Sequence, residues 1–216
     1  MVRRTKDEAA ATREHLLDTA EQVFLARGVA RASLLDIAAA AGLTRGAIYW
    51  HFKDKAELFL AMLDRIQLPC EAAHCEQLRL NPPPSADEFE HLLCQAVLLP
   101  LQRLCADAQV RRVFTIVIHR TEYSDDLASV MARHRLAIAD WIARMGALLR
   151  LGRERGWLRA EVDPDLAAHG LFALVDGLLS QATMAEAPAV DPAAALAVGE
   201  QAVAICLAGL RAHATT

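Results

Sequence analysis

What most constrains the fold of this chain is the spacing of its apolar residues. Leu, Ile, Val, Phe and Ala recur at three- and four-residue intervals between clear breaks, without long Val/Ile/Thr alternations. That period matches one face of an α-helix and clashes with the two-residue alternation of a strand. A composition rich in Ala and Leu and poor in aromatics points the same way. The expectation is an all-α protein of about nine helices.

Helix punctuation sets the boundaries. A first helix is predicted from about Glu8 to Arg27, with Leu16, Leu17, Ala20, Val23 and Phe24 on one face. Gly28 closes it in the manner of a left-handed cap. Ser33, with Asp36 three residues on, resembles a capping box opening a short helix from Leu34 to Ala41. Gly42 stops that helix, and Thr44 caps a third over Arg45 to His51. Asp54 and Glu57 open a long fourth helix, expected to reach towards Leu80. Residues 81–85, Asn-Pro-Pro-Pro-Ser, form a break. Further helices are expected near 85–99, 107–120, 124–155, 164–185 and 191–212. Pro100 should end or kink the first of these. The pairs Asp163-Pro164 and Asp191-Pro192 mark the last two starts.

A net charge of −4 argues against a general nucleic-acid binder. Its distribution is uneven, however. Residues 1–55 carry nine Lys and Arg against seven Asp and Glu, whereas residues 56–216 carry fourteen against twenty. A mildly basic module of 1–55 joined to an acidic body of 56–216 is therefore expected. Five cysteines without secreted-scaffold spacing, and no apolar stretch after Arg3, Arg4 and Lys6, suggest a reduced cytoplasmic setting. No membrane partner is expected, because Asp176 and Glu200 interrupt the most apolar stretches.

Residues 33–51 carry the sharpest chemical signal. Two short helices meet at Ala41-Gly42-Leu43, a turn that needs positive φ at the glycine. Ala38, Ala39 and Ala40 would let the helices approach, and Ile37, Leu43 and Ile48 would hold the pair on the first helix. The second helix then has a free face of Thr44, Arg45, Gly46, Tyr49 and His51. Arg45 can reach a guanine edge bidentately, and Gly46 allows close backbone approach. Tyr49 and His51 can bond phosphate oxygens. Lys55 sits in a helix's first turn, where a cation is unfavourable, and a phosphate partner would explain it. Core packing accounts for the same Tyr-Trp-His-Phe run as readily, with Trp50 and Phe52 at least partly buried. Periodicity alone leaves both readings open.

The run Thr-Arg-Gly-Ala-Ile-Tyr-Trp-His-Phe-Lys-Asp-Lys at 44–55 closely resembles the recognition-helix signature of TetR-family regulators. Arg13 through Phe24, Gly28 and Ile37-Ala38 fit the same pattern. With the opening Arg3-Arg4-Thr5-Lys6, the run is similar to the branch that represses multidrug efflux pumps of the resistance-nodulation-division class. The resemblance implies an N-terminal helix-turn-helix domain followed by a larger helical ligand-binding and dimerisation domain. It implies that Arg45 reads bases beside Thr44 and Gly46. Tyr49, His51 and Lys55 would hold phosphates, Ser33 would add a contact, and Trp50 lies among them. It also implies a homodimer on a palindromic operator, released by lipophilic or cationic drug-like compounds.

Beyond residue 60 the resemblance weakens. Ile118 through Tyr123 is similar to a fragment of the efflux branch in which Cys is common where Thr121 stands. Leu93, Val97, Phe114, Ile118, Trp141 and Phe172 are candidates to line an apolar pocket, or plain core. Asp176, in an apolar segment, is either a pocket carboxylate or a polar group at a dimer seam. Ala167, Ala168, Gly170, Ala173 and Gly177, then Ala197, Gly199, Ala202, Ala204 and Ala208, would let the last two helices pack closely in that seam.

Other classes fare worse. The sequence has no nucleophile-elbow, Walker, zincin or dinucleotide-binding motif, so catalysis and a cofactor are not expected. Cys70 and His74, with His91 and Cys94, have spacings that a Cys₂His₂ metal site can use. The blander reading, buried thiols and surface imidazoles, is preferred, and no metal is expected. A metal- or thiol-triggered regulator of the same fold is the alternative.

Overall fold

The computed structural model describes residues 6–66, 83–122, 125–184 and 191–212. Nine α-helices lie among them, with no strand: α1 Lys6–Arg27, α2 Leu34–Ala40, α3 Arg45–His51, α4 Lys55–Arg65, α5 Ala86–Ala106, α6 Ala108–His119, α7 Ala128–Glu154, α8 Pro164–Ala182 and α9 Pro192–Leu210. A 3₁₀ turn, Asp125–Leu127, precedes α7. The part of the fourth helix expected beyond residue 66 lies outside the described residues, as do Cys70 and His74.

The caps follow from residue chemistry. Ser33 and Asp36 form a reciprocal capping box, and Thr44, Asp54, Ser85, Asp163 and Asp191 each accept a first-turn backbone N–H. Gly28 and Gly42 take φ of 79° and 67°, which only glycine adopts cheaply. Pro100 does not end its helix; it is buried in α5, which continues to Ala106. Packing of the faces on either side, Val97 and Leu101 with Leu104, overrides the local breaker.

The chain forms two compact units. One comprises Met1–Gln67 with Gln109–His134, the other Leu68–Ala108 with Arg135–Thr216. These units do not follow the 55/56 boundary read from charge. The core of the first shows why: Val113, Ile116, Leu127 and Val130 join Leu16, Leu17, Ala20, Phe24, Ile37, Ile48, Phe52 and Phe59 in one apolar cluster. The predicted apolar face of α1 is buried residue for residue. Of the three alanines of α2, only Ala38 is inside; Ala39 and Ala40 are exposed.

In the second unit α5 packs against α8 and α9. Gly199 of α9 faces inward, and a Cβ there would run into Leu101 Cδ2. Ala168 is also fully buried. Neither is available to a seam, contrary to the sequence expectation, because each falls on the stripe its helix turns to α5 or its neighbours. By length and composition α9 is apolar enough to cross a membrane, with mean hydropathy 1.8. Glu200 alone does not lower it as the sequence reading supposed, since it is the one charge among nineteen residues.

Candidate nucleic-acid interface

Local chemistry fixes where α3 sits. Leu43 N–H donates to Ala38 O at 2.9 Å across the Gly42 turn, and Ile48 is buried in the cluster with Ile37. Ile48 and Phe52 are four residues apart and share the buried side. Trp50, two residues from Ile48, is rotated by about 200° and points away. It is 71% exposed, which corrects the expectation that it is partly core; Phe52, 1% exposed, is core as expected.

The outward side of α3 carries Thr44, Arg45, Gly46, Tyr49 and Trp50, all exposed. The Arg45 guanidinium lies 5.6 Å from the centre of the Tyr49 ring, a cation–π contact that lays it along this face. A Cβ on Gly46 would meet only Thr44 Oγ1, at 4.0 Å. Packing within the chain therefore does not require glycine here. His51 is half-buried and stacks edge-on with Trp50, ring centres 4.5 Å apart. No acid lies in the first turn of α3, which leaves its amide end positive.

Two hydroxyls of the expected interface are engaged in capping. Thr44 Oγ1 accepts from Ala47 N–H at 3.3 Å. Ser33 Oγ accepts from Asp36 N–H at 3.1 Å and donates to Asp36 Oδ2 at 2.5 Å. The Ser33 hydroxyl and N–H hold the Asp36 carboxyl below the usual range, and Arg27 adds to this from 2.9 Å.

Lys55 is engaged within the chain. Its Nζ donates to Val29 O at 3.0 Å and Ala30 O at 3.3 Å and pairs with Asp126 Oδ2 at 2.8 Å. The cation at this helix start is offset from within the chain by these groups.

Glu21 was missed by sequence reading. Only 1% exposed, its carboxylate accepts from Arg65 Nη1 at 3.1 Å, Gln109 Nε2 at 2.9 Å and Arg112 Nε at 3.2 Å. A buried charge is tolerable only with such partners. The signal was present: Glu21 occupies the Leu17–Glu21–Phe24 register of the apolar stripe of α1.

The pocket candidates divide between the units. Phe114 and Ile118 are half-buried in the first. Leu93, Val97 and Trp141 are buried in the second, where Trp141 and Phe172 rings meet at 5.8 Å. Leu93 lines a cavity of about 10 Å³ with Phe89, Trp157 and Leu207. That is room for one water, far below the several hundred Å³ of a drug site. Asp176 is exposed on α8, on the side of Ala173 and Gly177. Burial pushes the Cys94 thiol up, helped by Glu200 and Glu90, and burial alone does the same to Cys206. Thiols held protonated are poor redox triggers.

Comparison with known proteins extends the likeness well past residue 60. The profile of bacterial regulatory proteins of the tetR family matches residues 16–62, and that of the C-terminal part of BetI-type transcriptional repressors matches 101–208. The regulator TtgR of Pseudomonas putida is 41% identical over 181 residues, 83% of each chain. Among solved structures, NalD, the secondary repressor of the MexAB-OprM multidrug efflux pump in Pseudomonas aeruginosa, superposes with TM-score 0.81 at 31% identity, covering 95% of this chain and 98% of its own. The SmeT–triclosan complex, of the Stenotrophomonas maltophilia repressor, gives 0.64 at 33% identity, over 89% of this chain and 91% of its own.

Proposed function

We propose an operator-binding and ligand-release cycle for this chain, which belongs to the TetR family of bacterial transcriptional regulators and is related to repressors of multidrug efflux pumps. Two copies bind a palindromic operator in the cytoplasm, each inserting α3 in a major groove. The DNA-reading residues fall within 1–55; ligand binding and dimerisation belong to 56–216. The observation that carries the reading is the outward face of α3, where Arg45, Tyr49 and Trp50 stand exposed beside an unforced glycine.

Arg45 reads bases, with Thr44 and Gly46 at closest approach. Tyr49, Trp50 and His51 line the backbone side, and Ser33 adds a contact through what its cap leaves free. Dimerisation uses α8 and α9, whose exposed sides carry Leu166, Gly170, Ala173 and Gly177, then Ala197, Val198, Ala204 and Ile205. Asp176 lies in this seam rather than in a pocket, since it shares the exposed side of Ala173 and Gly177. Leu93, Val97, Trp141 and Phe172, all in the second unit, supply the apolar lining for a lipophilic or cationic drug-like ligand.

Ligand acts through its different affinity for the DNA-competent and released states. A coupling of about 1–3 kcal/mol makes DNA binding roughly 5–150-fold weaker, and operator must weaken ligand binding by the same factor. Calorimetry with triclosan and other lipophilic drugs, with and without operator duplex, measures both directions. Equal affinity for free and DNA-bound protein excludes induction by those compounds. A wild-type protein that retains no duplex from a random pool sinks the DNA-binding reading itself.

A further inference from the structure

We propose that Arg31 and Arg120 form a second phosphate-binding patch beside the reading helix, gripping the duplex backbone outside the base-reading contacts. The inference rests on the DNA-binding reading above and adds two cations and a wider footprint to it. Both side chains are exposed, and among the described residues neither has a carboxylate partner. Other arginines of the first unit are neutralised from within the chain. Arg27 pairs with Asp36 at 2.9 Å, Arg65 with Glu14, Asp18 and Glu21, Arg112 with Glu21, and Arg133 with Asp64. In a chain of net charge −4, cations left unpaired together on one edge are the groups that a polyanion can use.

The two arginines come from distant parts of the chain and meet over Gly28. A Cβ there would stand 3.9 Å from Arg31 Nη2 and 3.6 Å from Arg120 O. Val29 N–H donates to Arg120 O at 2.8 Å, which fixes the two backbones side by side. Arg31 is also held in place: its Nε donates to Arg27 O at 2.8 Å, leaving the Nη donors for a ligand. A guanidinium anchored in advance loses less freedom on binding and can take a phosphate bidentately. The patch borders the reading face from two sides. Arg31 precedes Ser33, the cap of α2, by two residues, and α2 leads to α3 through the Gly42 turn. Lys55 Nζ, in the first turn of α4, donates to the carbonyls of Val29 and Ala30 at 3.0 and 3.3 Å, and α4 starts four residues after α3 ends. The stretch 28–31 thus lies against the end of α3, and a duplex whose major groove receives α3 carries a phosphate strand past it. Such contacts set position and carry no sequence information, because every base pair presents the same phosphates.

The test measures duplex affinity against salt for wild type, Arg31→Gln, Arg31→Lys, Arg120→Gln and the double Gln variant. It uses a duplex recovered by the wild-type protein from a random pool and one unrelated duplex. One lost phosphate contact lowers the slope of log K against log salt by about 0.9, which amounts to roughly eightfold in affinity at about 0.1 M salt. That loss is expected for each Gln variant, with about twice the slope change for the double variant and the wild-type slope for Arg31→Lys. Both duplexes should lose affinity alike, so that their ratio stays as in wild type. Substitution at residue 120 keeps the carbonyl that Val29 N–H reaches, and thermal unfolding checks the fold of every variant. If Arg31→Gln does not fold, Arg120→Gln decides alone. A wild-type slope in Arg31→Gln or in Arg120→Gln, or affinity lost on the selected duplex only, overturns the proposal. Absence of any duplex binding by wild type is a different failure, that of the DNA-binding reading, and the wild-type titration alone identifies it.

Discussion

Helices α3 and α9 both hold apolar groups out in solvent, yet the chemistry of the two faces differs. On α3 the exposed groups are aromatic and carry a hydroxyl or indole N–H, beside a guanidinium. Such groups donate to phosphates and base edges while their rings pack against sugar or methyl groups. On α9 the exposed groups are Ala194, Ala197, Val198, Ala204, Ile205 and Ala208, with Gln201 and Glu200 among them. Side chains this small offer few polar contacts but let another helix close in. On the proposed reading each exposed apolar surface meets a partner, and the polar groups set among it suggest which kind.

The comparison breaks most visibly at the seam. Replacing Ala173 and Gly177 together by Glu puts unpaired charge where α8 is proposed to meet its copy, at a cost on the order of 3–5 kcal/mol for each buried charge. Sedimentation should show monomers at concentrations where wild type is dimeric. A fully dimeric variant would place the interface elsewhere and leave the small-residue face of α9 without its partner.

A smaller effect is expected at α3. Arg45→Ala should cost about 1–3 kcal/mol in operator affinity, flatten the preference over scrambled DNA, and leave the melting temperature unchanged. Unchanged affinity removes Arg45 as the base reader.

Gly199→Ala sharpens the view of α9, whose inner side is packed as tightly as its outer side is open. The added methyl collides with Leu101, so unfolding in urea should show a loss of about 1–3 kcal/mol. Dimerisation and DNA affinity of the folded fraction should stay as in wild type. Dissociation without loss of stability would instead put Gly199 in the seam.

The smallest effect is a pH dependence at the start of α2. The folded Asp36 carboxyl titrates below its unfolded value of about 3.9. Its contribution is therefore complete above that value and is lost as pH falls through the lower folded one. Wild type should exceed Asp36→Asn in stability at pH 6, and the gap should close under strong acid. A gap that persists at low pH would assign the difference to the cap geometry instead of the charge.

Much of the first unit was legible because its signals are local. Caps at Ser33, Thr44 and Asp54, glycines at 28 and 42, and the stripe of α1 each act within a few residues, so adjacent sequence is enough to read them. The pattern around 44–55 likewise places Arg45 and Tyr49 on one turn of helix. Trp50 was misread because an aromatic within an apolar run looks like core until the phase of the helix is fixed by Ile48 and Phe52.

Sequence alone determined the helical class, the short helices around Gly42 and the family to which the chain belongs, since each follows from spacing or from one contiguous motif. Tertiary structure alone decided that residues 109–134 join the N-terminal core, that Glu21 is buried against Arg65 and Arg112, and that Lys55 turns inward to Asp126. It also decided that Gly199 faces Leu101 while Ala197 and Val198 face solvent. These outcomes depend on side chains separated by 44 to 98 positions or more in the chain, and no local periodicity carries information about which distant group supplies a charge or a wall.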